Sequence, residues 1–552
     1  MMPRMTKNRT LLLLVFFAAI LLFEKPGTFL FESDEARYAE IPREMIASQD
    51  YITPRQNGSK YFEKPPLLYW MTALSFKIFG ENDYAARLPV RLAALGTVLV
   101  MLFCAQPLMG ITTSLWAALF YISSMLGFSL SRTLLTDGPL TFSLTLTFFL
   151  LRKFLIQRIE RQPARLTSVF LGLALALAML SKGLIGLVFP LALFIAMVFF
   201  THQWHLIKDV FFSWIFPIFF LVSVPWFISV QLKNPEFSWF FFIHEHVLRY
   251  LTPEASRPGP FYYFLGVFFL GFFPWTFFFW APLKKTIITC KDLMRRRVVA
   301  PAWNEIHDTV FFGFWFIFIL LFFSTSNSKL IPYILPLLPA ASFMLAREIT
   351  ANKEMPQHPF LINALFWSVV VPIAFTYGIS QQLIRKFSLW DTLLIMSLLF
   401  LAGSWSGYFI SKKNKEQGLQ VLALAWGGIY LMIMLALPRI ASDYCTRALA
   451  PLAEKTKPDQ IVTYRCYPHS LPWVLKRTVP VVEYQGELAS VGALDQQLFW
   501  KEEYFWARWN SAEHLVVFAK DNSQKDVFFS NNLKPAHILG KNRKYLVIAN
   551  FQ

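Results

Sequence analysis

A polytopic, all-α membrane protein with a small α/β domain at its C-terminal end is the fold class this sequence predicts. Three observations carry that expectation. The 552 residues are 55% hydrophobic and 17% aromatic but only 16% charged, where soluble domains carry about 25% charged residues, and the mean hydropathy is +0.45. Apolar stretches near the ~20 residues that a bilayer requires recur along most of the chain. After about Arg439 that texture gives way to short alternating segments. We therefore expect a membrane domain at 1–438, interrupted by a polar loop at 32–87, and an α/β domain at 439–552.

The net charge of +18 does not mark a nucleic-acid binder, because Lys and Arg fall in short runs between apolar segments rather than on one basic module. Those runs fit topology signals and contacts to anionic membrane lipids. Cysteine spacing shows no CxxC or Cys/His zinc pattern. Cys104 lies in an apolar span and Cys290 in a basic loop, whereas Cys445 and Cys466 lie in the polar C-terminal region, where an oxidising compartment would allow a disulfide.

In chain order, Met1 to Phe23 has a basic start and then a run of apolar residues. Glu24-Lys25-Pro26 follows without a small-residue cleavage site, so the segment reads as a retained first span with its N-terminus inside. Ser33 to Arg87 is too polar to span. Within it, Glu35 to Gln49 predicts a helix capped by Ser33 or Asp34. Asn57-Gly58 predicts a hairpin turn between Tyr51-Ile52-Thr53 and Lys60-Tyr61-Phe62. Leu67 to Phe79 predicts an apolar interfacial helix, and Asn82 or Asp83 caps the next one. Further spans are expected near 88–108, 111–131, 138–151, 166–181, 184–201, 210–232, 261–282, 308–324, 330–346, 359–379, 390–410 and 417–437, about thirteen with the first.

Loop charge supports this count. With the N-terminus inside, the inside loops include 152–165, 284–297 and 411–415, all strongly basic. The outside loops then include Ser33–Arg87, Lys233–Pro260, Ser324–Lys329 and Ser380–Lys386, with the turns at Asp137 and Lys182. An odd span count also places the C-terminal domain outside. There, Gln460–Cys466, Val479–Glu483, His514–Ala519 and Tyr545–Ala549 read as strands, and Arg447–Lys457 and Leu494–Glu503 as helices.

On this topology the chemistry-bearing residues collect at the outside face: Asp34, Glu35, Glu63, Lys64, Asp137, His244, Glu245, His246, Arg249 and Lys329. Charged groups in such apolar company are costly unless they have a use. An enzyme there has no nucleotide to draw on and needs an activated substrate delivered in the membrane. A polyprenyl-phosphate sugar meets that need, with a carboxylate to orient or deprotonate the acceptor and cations to stabilise the departing phosphate.

Five stretches occur in order at these loops: SDEARYAEIPREM, YFEKPPLLYW, SRTLLTDGPL, FFIHEHVLRY and SNSKLIPYILPLLP. Together they resemble the bacterial aminoarabinose lipid A transferase family, within the polyprenyl-phosphate-dependent GT-C membrane glycosyltransferases that also include the protein O-mannosyltransferases. The resemblance implies an inverting glycosyltransferase of the bacterial inner membrane, N-terminus cytoplasmic and C-terminal domain periplasmic. Its donor would be a sugar on undecaprenyl phosphate, its acceptor a lipid A phosphate, and no nucleotide or nucleic acid would take part. Asp34 then matches the catalytic acid and Asp137 a second important aspartate. Glu63 and His246 would contact a divalent cation, with substrate phosphate and water completing its shell. Lys64, Lys329 and Tyr333 would meet phosphate.

Each assignment has a plainer rival. Asp34 and Asp137 fit helix N-caps, Arg132 being near enough to pair with the latter. Glu63 and Lys64 fit a rim ion pair, although side chains of neighbouring residues on an extended segment point apart. Lys329 fits a snorkelling cation and Tyr333 the aromatic belt, the two lying one turn apart on a span. Lys182 fits a polar turn. Arg249 stands on its own chemistry, because a guanidinium grips phosphate oxygens in two-pronged fashion, and it would share a helical face with His246. A protein hydroxyl or another glycan would serve as acceptor equally well. A transporter or flippase would carry its charges near mid-bilayer on repeated halves, and no repeat is visible.

Overall fold

In a computed structural model, the described residues are 4–25, 27–252, 258–296, 303–352, 356–380, 390–441, 444–484, 486–489, 497–520, 527–528 and 534–552. The expected outside loop at 381–386 lies outside them, as do residues 253–257 and 494–496. The chain forms two compact units. One comprises Met1–Phe23, Val90–Ile228 and Phe242–Ile433; the other comprises Glu24–Pro89, Ser229–Phe241 and Met434–Gln552.

The first unit is a helical bundle. Among the described residues of the whole chain, eight helices are long and apolar enough to cross a membrane, and a ninth crossing results if one bent pair is a single span. Each of the thirteen expected spans coincides with helix. The remaining four are Arg4–Leu22, with basic residues in its first turns, and the shorter Ile111–Ser123, Ile185–Thr201 and His358–Ser380, whose described apolar run ends at Ile373. The bent pair, Tyr263–Gly271 and Thr276–Leu293, turns through 106°. The break is repaired by side chains: Asn363 Nδ2 donates to the Pro274 carbonyl at 3.1 Å, Ser404 Oγ to Asn363 Oδ1 at 3.2 Å, and Trp275 Nε1 to Ser123 Oγ at 3.0 Å. Such repair is what an interrupted helix needs where no water reaches its backbone. Close packing rests on small residues. At Gly172, for instance, a Cβ would lie 2.5 Å from the Ile215 carbonyl oxygen.

The second unit contains a six-stranded sheet in the order β5-β4-β3-β6-β8-β7. Its strands are β3 (Gln460–Tyr464), β4 (Val481–Val482), β5 (Phe499–Trp500), β6 (Leu515–Lys520), β7 (His537–Lys541) and β8 (Tyr545–Ala549). β3 pairs in parallel with β4 and β6, as does β4 with β5, while β8 runs antiparallel to β6 and β7. Both faces are covered. Ile461, Val516, Phe518 and Val547 pack on one side with Leu449 and Leu471, and Val462, Tyr464, Val517 and Ile548 pack on the other with Phe505 and Trp509. Burial on both faces is why β6 and β8 read as nearly unbroken apolar runs.

The polar loop belongs to this same unit. It holds the helix Asp34–Ser48, the hairpin β1 (Arg55–Gln56) and β2 (Ser59–Lys60), and the helix Leu67–Phe79. Asn57 and Gly58 take positive φ values of 50° and 76°, the geometry of a type I′ hairpin turn. The Asn57 side chain donates to the Val479 carbonyl at 2.9 Å and accepts from the Val479 amide at 2.8 Å. Arg43 Nη1 donates to the Lys476 carbonyl at 3.0 Å, Phe76 stacks on Trp473, and Trp473 Nε1 donates to Asp83 Oδ1 at 2.8 Å. The loop is thus bonded residue by residue to the α/β fold.

Three local expectations are corrected. Ser33 precedes the first loop helix without a side-chain cap, and Asp34 is its first helical residue; Asn82 does cap the next helix, accepting from the Ala85 amide at 2.9 Å. The hairpin strands are two residues each, shorter than the segments proposed to flank the turn. Phe499–Trp500 is a strand and the helix begins at Glu502, because the Phe-Trp pair is drawn into pairing with β4. Cys445 and Cys466 are separate buried thiols. The Cys466 thiol donates to the Phe518 carbonyl at 3.6 Å, and burial pushes the two thiols up to about 11 and about 12.

Candidate active site

Within the second unit, Asp34 opens its helix with a half-exposed carboxylate, 47% accessible, and Arg37 one turn on places Nη1 3.5 Å from it. Arg37 is buried. It also donates to the Tyr61 hydroxyl at 3.4 Å, and its Nη2 lies 3.2 Å from His469 Nε2. A guanidinium only donates, so His469 Nε2 accepts and its proton sits on Nδ1, which faces Glu32 Oε2 at 3.8 Å. Glu32 in turn accepts from the Ser470 amide at 3.0 Å and from its hydroxyl. The exposed carboxylate is therefore backed by Arg37, His469 and Glu32, the histidine coming from the α/β fold.

Glu35 is support, facing inward to receive Arg87 in two-pronged fashion at 2.9 and 2.6 Å and the Phe31 amide at 2.9 Å. Further along the helix, burial pushes the Glu40 carboxyl up to about 8, against the pull of Arg43, whose Nε and Nη2 donate to it at 2.8 and 2.5 Å. Glu63 and Lys64 lie at a bend rather than on an extended segment. Lys64 Nζ donates to the Glu63 carbonyl at 2.8 Å and lies 3.9 Å from its carboxylate. The expectation that these side chains diverge is corrected, since a bend removes the alternation of a strand.

In the first unit, Asp137 opens the helix Asp137–Ile159 and Lys182 ends the helix Arg165–Lys182. Their side chains meet at 2.5 Å, each only 7% accessible. Each charge complements the dipole of the helix that carries it. Lys182 also lies over the Tyr333 ring, 4.6 Å from its centre. Asp137 is thus part of a buried ion pair, while Arg132 donates to the carbonyls of Ile20 and Leu21 at 2.8 and 2.6 Å.

Lys329 does not share a helix face with Tyr333, because it lies outside helix and Ile331–Leu337 is 3₁₀. It is buried, with Nζ donating to the carbonyls of Ser324 and Ser326 at 2.8 and 2.7 Å. This satisfies the end of helix Glu305–Thr325 rather than snorkelling. Arg249 Nη1 meets Glu245 at 2.6 Å. His246 sits in the π-helical stretch Trp239–Leu248, whose wider turn alters the spacing assumed for it and Arg249. Glu63 belongs to the second unit and His246 to the first. Among the described residues, no group of three or more His, Cys, Asp or Glu side chains is placed to hold a metal ion.

Residues 8–241 match the family model described as dolichyl-phosphate-mannose-protein mannosyltransferase, and residues 449–550 match the aminoarabinose transferase C-terminal domain. The chain is 31% identical over 367 residues to an undecaprenyl phosphate-alpha-4-amino-4-deoxy-L-arabinose arabinosyl transferase of Aeromonas hydrophila, covering 65% of this chain and 63% of that one. A relative of the same description in Proteus mirabilis is 28% identical over 505 residues, 86% of each chain. The fold matches the crystal structure of ArnT from Cupriavidus metallidurans bound to undecaprenyl phosphate, with a TM-score of 0.82 and 24% identity over 99% of this chain and 97% of that one. The chain has the GT-C fold and is similar to the aminoarabinose transferases. It is a multi-span membrane protein, as that fold requires. In this GT-C chain the first family match carries Asp34, Glu63, Lys64, Asp137 and Lys182, and the second carries His469.

Two participants, Arg37 and His469, were not identified from the sequence. Arg37 was visible in principle, at i+3 from Asp34 on a helix. His469 is 432 residues from Arg37, and no local pattern signals such a contact.

Proposed function

We propose that this protein moves a sugar, aminoarabinose-like or another pentose or hexose, from undecaprenyl phosphate to a lipid A phosphate at the periplasmic face of the bacterial inner membrane. The observation that carries the reading is Asp34, a half-exposed carboxylate held by a buried Arg37. The names of the relatives supply the substrate class. The basic loops support a cytoplasmic N-terminus, and with an odd span count this puts the α/β fold outside.

A phosphate acceptor is already anionic, so Asp34 orients it or its counter-charges; with a hydroxyl acceptor the same carboxylate would take the proton. Arg249 and Lys64 contact donor phosphate and steady the charge that builds as the bond to the sugar breaks. Lys329 and Tyr333 are further phosphate contacts in this reading. Attack opposite the departing phosphate inverts the sugar carbon. A divalent cation belongs to the reading only with phosphate oxygens completing its shell, Glu63 and His246 being the protein's contribution, and no step above depends on it. The mannosyltransferase match over 8–241 favours a protein hydroxyl as the second acceptor reading.

The test is mass spectrometry of lipid A from cells with and without the protein, and from cells carrying Asp34→Asn. Loss of the sugar in both altered strains is expected. Transfer at the normal rate by Asp34→Asn would refute the mechanism, and unchanged lipid A in the deletion would shift the reading to the protein acceptor. Chelation in a reconstituted assay, followed by added Mg²⁺ or Mn²⁺, decides the cation.

A further inference from the structure

The α/β fold carries a cavity of about 710 Å³ lined by Gln460, Gln497, Phe499, Trp500, Lys501, Tyr504 and Arg508. Its size is that of a small-molecule cleft, ~300–1,000 Å³, and the proposed transfer chemistry uses none of its residues. Its chemistry is selective. Among the described residues its apolar lining is aromatic, from Phe499, Trp500 and Tyr504. Among the described residues no carboxylate, imidazole or thiol lines it, which suits binding rather than reaction.

Arg508 is held on several sides. Its Nε and Nη2 meet Glu513 at 2.6 and 2.8 Å, its Nη1 reaches Gln460 Oε1 at 3.4 Å, and its plane lies over Trp500 and Tyr504 at 4.7 and 5.6 Å. The charge of this cation is cancelled by Glu513, and Lys501 supplies the remaining positive charge of the lining. What faces outward is an aromatic wall with amide and amine groups around it: Tyr504, 51% accessible, with Gln497 and Lys501 exposed beside it. Ring faces take up the C–H face of a pyranose, and amide and ammonium groups bond its hydroxyls.

We propose that this cavity binds a pyranose of the glycan borne by the lipid acceptor, a binding site separate from the residues assigned to transfer. The identity of the glycan rests on the function proposed above; the sugar-binding chemistry does not. The test is saturation-transfer NMR on the full-length protein in phosphatidylcholine nanodiscs, free of sugar-headed detergent, with maltose, diacetylchitobiose and inorganic phosphate as probes. Saturable binding of at least one disaccharide is expected, weakened roughly tenfold by Tyr504→Ala, retained by Tyr504→Phe, and undisturbed by phosphate. Absence of sugar binding, equal binding by Tyr504→Ala, or displacement by phosphate would overturn the proposal. Since binding is read directly, unchanged lipid A in the deletion strain would leave this result standing, and a failure here would leave the transfer reading intact.

Discussion

Asp137 and Lys182 show how an apolar bundle tolerates charge, each being stabilised by the other and by the helix end that carries it. Asp137→Asn should strand the lysine and cost about 3–5 kcal/mol, read as a lower unfolding temperature of the purified protein. Asp137→Asn with Lys182→Met should recover much of that stability. If the pair also serves the reaction, the double variant will fold yet remain inactive. Glu40 makes a different prediction. Its carboxyl is raised from 4.5 to about 8 by burial, so between those values the unfolded chain has released a proton that the folded chain retains. Stability therefore falls as pH rises through that window. Thermal unfolding across the window should show this fall, and Glu40→Gln should flatten it.

The hairpin β1–β2 is only two residues per strand, yet it organises its surroundings. Glu44, from the neighbouring helix, accepts from the Asn57 amide at 2.5 Å and the Gly58 amide at 2.9 Å, while the Asn57 side chain fastens Val479. A turn with φ of 76° at Gly58 suits glycine, and a Cβ there would sit 2.7 Å from Leu498 Cδ1. Gly58→Ala should cost about 1–2 kcal/mol from backbone strain, with the contact adding to it. Chemical or thermal unfolding of the variant measures that cost. The helix Asp34–Ser48 is held equally firmly, by Arg43 to Lys476 and by Arg37 to His469. The carboxylate of Asp34 thus stands on an element fixed from behind.

At the level of the whole chain, the polar loop and the α/β fold form one unit. Deleting residues 449–552 would remove the partners of Glu32, Arg37, Arg43, Asn57 and Asp83 together. Limited proteolysis should then cut within 24–89, where the full-length protein resists. A truncated chain as resistant as the intact one would refute this dependence. The C-terminal fold would thus be a structural part of the site that presents Asp34, as well as a candidate surface for the acceptor.

Much of this was legible in the sequence because it follows local rules. Apolar length located the helices, and period-two patterning located β3, β6 and β8. The Asn-Gly turn and the Leu67–Phe79 helix could be read directly, and five motifs in order pointed to the family. Contacts between distant segments could not be read this way. The pairing of Asp137 with Lys182 and the backing of Asp34 by His469 depend on side chains from separate parts of the chain meeting in space. Periodicity encodes which face of an element is apolar, and it carries no record of which residue that face will meet. Burial then sets the outcome, since a charge removed from water must find a partner wherever the fold supplies one.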